Sequence, residues 1–127
     1  MKEVLFQKIE AQKERLWEMA DFIFDHPEYE GKEYQAADLL TGYLEQNGFQ
    51  VERGIAGYET AFRAIYENGT GGPSIGILCE YDALKGMGHA CGHHMQGPGG
   101  ILLHSHKSSV LVRLGIGIPL LQRFRCV

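Results

Sequence analysis

The sequence predicts an α/β fold with a mixed sheet flanked by helices, and three observations carry that prediction. Two amphipathic stripes open the chain, two alternating segments follow, and a short apolar run, "SIGILC", comes last. With 127 residues, 44% of them hydrophobic, the chain can bury one core, so one domain at most is expected.

Each element has a local reason. Leu5, Ile9, Leu16, Ala20 and Ile23 recur at helical spacing with Glu and Lys between them, so a first helix fills roughly the opening twenty residues. It stops at "DHPEYEG", because Pro27 disfavours helical geometry at His26. Ala36, Leu40, Tyr43 and Leu44 mark a second helix, which Gly48 after Asn47 closes by supplying a left-handed position. "FQVERGI" alternates as a strand, and "TAFRAIY" reads as another. Turn formers crowd "ENGTGGP", so the β segments on either side of it are expected to pair as a hairpin. "SIGILC" is expected to be a buried central strand. The stretch "EYDALKGMGHACGHH" then leaves its carboxyl end, the edge at which open α/β sheets hold ligands.

Composition narrows the function. A net charge of -4 and a pI near 5.8 argue against a nucleic-acid surface, which would cluster Lys and Arg on one face. The amphipathic N-terminus, "MKEVLFQKIEAQKERLWEMA", lacks the apolar core of a signal peptide or membrane span, so a cytoplasmic protein without a membrane partner is expected. Three widely spaced cysteines make no disulfide framework and fit a reducing compartment. Charge is unevenly distributed: residues 1–82 sum to -9 and hold every Asp and Glu, whereas 83–127 sum to +5. Solvated surface normally mixes both signs, so the Gly-, Ser- and Pro-broken tail "GGILLHSHKSSVLVRLGIGIPLLQRFRCV" stands apart from what precedes it.

The His/Cys stretch reads as metal chemistry. Cys91 and His93 are two apart and project together in an extended or looped backbone, which Gly88 and Gly92 favour. A thiolate beside an imidazole suits zinc, and manganese or cobalt where carboxylates complete the shell. Structural zinc sites take four protein ligands, commonly from Cys-x-x-Cys pairs that this chain lacks, so an open, catalytic site fits better. Glu80 and Asp82 alternate at the strand end and face one side, able to ligate or to orient a ligand histidine. A solvated Gly-rich loop explains His89, Cys91, His93 and His94 equally well on spacing alone. Cys79, inside the apolar run, is expected to be a buried small hydrophobe. His26, His104 and His106 carry no site expectation.

The stretch from "HPEYEGKEYQAADLLTGYLEQNGFQVERG" through "EYDALKGMGHACGHHMQGP" resembles the amino-terminal part of the metallopeptidase 20 family of metal-dependent amidohydrolases. It is most similar to the branch of aminobenzoyl-glutamate hydrolase, N-acyl amino acid hydrolases and plant auxin-conjugate hydrolases. The resemblance covers about residues 1–98 and rests most specifically on "EYDAL" and "GHACGH". It implies an N-terminal fragment of a zinc-peptidase-like α/β catalytic domain whose intact relatives insert a smaller, usually dimerising domain, so a homo-oligomer is compatible with it. It also implies that Cys91 and His93 are metal ligands, that Asp82 lies close to the site, and that the cofactor is zinc or manganese. The implied reaction is hydrolysis of the amide of an N-acyl or aminobenzoyl amino acid, a small-molecule substrate.

Two departures qualify this. Lys85 replaces the proline usual after "DAL", and nothing after Pro98 continues the resemblance: Gly97, Pro98, Gly99 and Gly100 discourage the small-residue helix expected there. The family's catalytic glutamates and further histidine ligands come well downstream. Residues 1–98 therefore read as part of a catalytic domain and 99–127 as an unmatched tail, of the kind a frameshift and early stop produce. The expectation is a truncated, inactive member. The other reading is a small non-catalytic metal-binding or interaction module.

Overall fold

The computed structural model describes residues 2–67, 75–102 and 110–112. Helix α1 (Lys2–Asp25) runs 24 residues, one turn further than the apolar spacing alone required, and ends where expected, before Pro27. His26 closes it, both its backbone N–H and its Nδ1 lying at hydrogen-bond distance from the Phe22 carbonyl. Leu16, Met19 and Ile23 form its buried stripe.

Helix α2 (Tyr34–Gln46) buries Ala36, Ala37, Leu40, Thr41 and Leu44. Its first amides are satisfied from outside the helix: the Glu28 carboxylate accepts from the N–H groups of Gln35 and Ala36, each at 3.0 Å. Gly48, with φ 85°, turns the chain as expected, and Phe49 N–H reaches back to Leu44.

Strands β1 (Gln50–Arg53) and β2 (Phe62–Tyr66) pair antiparallel, with Val51 opposite Ala64. Strand β3 (Ile75–Ile77) and strand β4 (Val110–Val112) complete a mixed sheet in the order β1-β2-β4-β3, β4 being antiparallel to β2 and parallel to β3. This corrects two expectations. The segments flanking "ENGTGGP" are not hairpin partners, because β4 lies between them; the turn itself lies outside the described residues. Nor is "SIGILC" a buried central strand. Its regular part is three residues at an edge of the described sheet, with β4 on one side only, and Leu78 beyond it is 62% exposed.

A third expectation also yields. Despite its glycines, Gln96–Leu102 forms helix α3. Pro98 sits in the first turn, where its missing N–H is not needed. Gly97 lets α3 approach α2 so closely that a Cβ there would lie 2.8 Å from both methyls of Leu40. Packing has overridden propensity. The core, from Leu16, Met19 and Ile23 through Leu40, Leu44, Phe62, Ala64 and Tyr81 to Ile101, lies between the helices and the sheet.

Candidate metal centre

The chain leaving β3 is pinned at four points before it reaches the histidines. Cys79 is buried, and its thiol donates to the Gln96 carbonyl at 3.0 Å. Burial pushes that thiol up to about 11, against a weaker opposite pull from the Gly100 backbone. The Gln96 side chain in turn accepts the Glu80 N–H at 3.0 Å, tying the strand exit to the start of α3. Tyr81 is buried against Phe62, and its hydroxyl donates to the Thr60 carbonyl at 2.6 Å. Burial, with Glu33 and Asp82 nearby, raises its phenol. Ala83 then donates its N–H to the Glu28 carbonyl at 2.7 Å, bridging to the loop between α1 and α2.

These anchors fix the side chains of Glu80 and Asp82 on one side, where both meet His93. His93 Nδ1 lies 2.8 Å from Asp82 Oδ1 and 3.2 Å from the Asp82 carbonyl. His93 Nε2 lies 3.0 Å from Glu80 Oε2. Both His93 and Asp82 are buried. If Nδ1–H donates to Asp82, the lone pair of Nε2 points at a carboxylate oxygen. Two lone pairs at that separation need a proton or a cation between them. A neutral imidazole held at one nitrogen by a carboxylate, with its other nitrogen beside a second carboxylate, is a donor set suited in type to a divalent ion.

The structure brings Asp82, Glu80 and His93 together, but places Cys91 differently. Gly92, with φ 82°, closes a turn in which its N–H bonds to the His89 carbonyl at 3.0 Å; Cys91 is exposed in that turn while His93, two residues on, is buried. Among the described residues no group of three or more His, Cys, Asp or Glu side chains is arranged to hold a metal ion. The donor types fit a metal; a full shell is not assembled from the described residues.

His89 is buried as well, which spacing did not reveal. Burial holds its imidazole below the ordinary histidine range, and His94 and His93 push the same way. The Ile23 backbone counteracts this weakly, without reaching hydrogen-bond geometry at either ring nitrogen. The apolar residues around position 23 are the signal that could have found it: α1 packs on this turn, and Phe24 lies against both His89 and His94. His104, His106 and Cys126 lie outside the described residues.

Comparison with known proteins adds relatives to this geometry. No family model matches the chain. It is 38% identical to one of the subunits of p-aminobenzoyl-glutamate hydrolase from Escherichia coli (strain K12), over 70% of this chain and 22% of that protein. It is 36% identical to the Xaa-Arg dipeptidase of Homo sapiens, over 68% of this chain and 22% of that one. In three dimensions it superposes with a TM-score of 0.74 and 19% identity on a protein of methicillin-resistant Staphylococcus aureus assigned as an aminohydrolase, over 88% of this chain and 34% of that one. The Bacillus subtilis YXEP protein, described as a dinuclear metal-binding peptidase of the M20 family, gives a TM-score of 0.70 at 23% identity, over 83% of this chain and 35% of its own. The chain spans about a fifth of the length of the curated relatives it matches.

Proposed function

We propose, for a chain that belongs to the metallopeptidase 20 family of amidohydrolases and corresponds to the amino-terminal part of its members, that it carries part of a metal-dependent amide-hydrolysing centre. Cys91 and His93 are the metal ligands in this reading, and Asp82 holds His93 by its Nδ1. The observation that carries it is the placement of His93 between Asp82 at 2.8 Å and Glu80 at 3.0 Å.

The substrate class is the amide joining an acyl or aryl-acyl group to an amino acid, the class to which p-aminobenzoyl-glutamate belongs. When bound, a divalent ion, zinc or manganese, supplies Lewis acidity toward the scissile carbonyl and lowers the pKa of water. The chain's own residues do the rest of what this part contributes. Asp82 fixes the ring of His93 and selects the tautomer that leaves Nε2 free to ligate. Glu80 puts a second carboxylate at that nitrogen. Tyr81 and Cys79, both buried and neutral, hold the backbone between them rigid. Because the described residues assemble no group of three donors, the chain alone is proposed not to turn over substrate.

The test is a graft. Residues 1–98 replace the matching segment of the Escherichia coli relative, and release of glutamate from p-aminobenzoyl-glutamate is measured with added zinc or manganese. The chimera is expected to be active and to lose about 100-fold or more on Cys91→Ser or His93→Gln, the scale on which a site loses activity when ligands and their supports are disturbed. The 127-residue chain alone is expected to release nothing. An active chimera indifferent to both substitutions would overturn the assignment.

A further inference from the structure

His89 and His94 have no part in that reading, yet their environment demands one. His89 is 4% exposed, and neither of its ring nitrogens has a hydrogen-bond partner. Nδ1 of His94 is likewise buried and unpartnered. A weak approach to the Ile23 carbonyl accounts for one His89 nitrogen at most. Buried polar atoms left bare are costly, and folded proteins fill such places with water or an ion.

The geometry favours the ion. The two rings are 5.4 Å apart between centroids and inclined at 61°. Two imidazoles on one tetrahedral cation, each nitrogen about 2.0–2.1 Å from it, bring their centroids roughly 5 Å apart. The turn through Gly92 and the short 3-10 helix His93–Met95 bring positions 89 and 94 together. Phe24 closes the third side, with its ring 5.0 Å from His94 and 6.4 Å from His89. We infer that His89 and His94 together bind a borderline divalent cation such as zinc, cobalt or nickel, at a site separate from Cys91 and His93, with water completing the coordination. Imidazole pairs favour this class of ion over magnesium or calcium, which demand oxygen.

Cobalt(II) is the probe. The full chain carrying Cys91→Ser and Cys126→Ser is titrated with cobalt(II), and visible absorption and the thermal midpoint are followed. One equivalent is expected to bind, giving cobalt bands without a thiolate charge-transfer feature and raising the midpoint, as a ligand selective for the folded state must. His94→Gln in the same background, at a half-buried position, is expected to weaken binding at least tenfold. His94→Cys is expected to retain cobalt and to add the thiolate-to-cobalt band, a gain that loss of folding cannot mimic while the midpoint still rises. If the background chain binds no cobalt, water fills the gap and the inference fails. It fails equally if His94→Gln leaves binding unchanged, which would assign the ion to other donors such as His104 and His106.

Discussion

At the scale of single residues, the two cysteines of the described chain divide cleanly. Cys79 was legible as a buried hydrophobe because it sits in an apolar run, and it is 3% exposed; Cys91, two positions from a buried histidine, is at the surface. The Cys79 thiol is raised from its ordinary value near 9 to about 11. Below pH 9 it is neutral in both folded and unfolded chains, so its contribution to stability is fully present there. As pH rises from about 9 to about 11 the unfolded chain ionises first, and that contribution is lost. Iodoacetamide at pH 8, read by peptide mass mapping, is therefore expected to label Cys91 readily and Cys79 only after denaturation, since the thiolate is the reactive form. Comparable labelling of both in the native chain would contradict the placement of Cys79. The grouping of Asp82 with His93 was suggested by alternation at the strand end. The burial of His89 was not, because it depends on α1, far away in sequence, packing across the turn.

At the scale of elements, both opening helices were legible because apolar spacing and stop signals agreed at Pro27 and Gly48. Helix α3 was not, because intrinsic propensity argues against Gly97, Gly99 and Gly100 and only the contact with Leu40 argues for them. The two glycines with opposite surroundings test this. An alanine in place of a helical glycine gains about 1 kcal/mol of propensity. At Gly99, where nothing lies within 4 Å of a new Cβ, that gain is expected in full or in part as a higher urea midpoint for Gly99→Ala. At Gly97 the new methyl meets two carbons of Leu40 at 2.8 Å. Leu40 has no exposed surface and cannot swing aside, and overpacking costs about 1–3 kcal/mol. Gly97→Ala is thus expected to lower the midpoint, by about 1 kcal/mol net, and Leu40→Ala in the same chain to recover part of that loss. A stabilising Gly97→Ala would mean that α3 does not seat on α2. The strand pairing misread has a similar origin: turn formers between two β segments signal proximity in sequence, but β4, from well downstream of both, takes the place between them.

At the scale of the whole molecule, the described structure has a formed core and large apolar surfaces outside it. Val4, Phe6 and Trp17 on α1 are each more than half exposed, and Trp17 borders an apolar groove with Ile9, Leu16, Pro98 and Leu102. Strand β3 has a neighbour on one side only among the described residues. Such surfaces promote association. The fold class was legible because the order of helices and strands is written in local patterning. The count of metal donors was not, because a shell is built from side chains that spacing cannot bring together. No helix among the described residues is long and apolar enough to cross a membrane. The central claim, that residues around 80–94 form part of a hydrolytic metal centre with Cys91 and His93 as ligands, is tested most directly by zinc X-ray absorption on the chain carrying His94→Gln, which weakens the separate His89–His94 site, loaded with less than one equivalent. The account predicts one sulfur at about 2.3 Å together with nitrogen or oxygen neighbours at about 2.0–2.1 Å, the sulfur shell disappearing in Cys91→Ser. A zinc shell of nitrogen and oxygen alone in the His94→Gln chain, or a sulfur shell that survives adding Cys91→Ser to it, would contradict it.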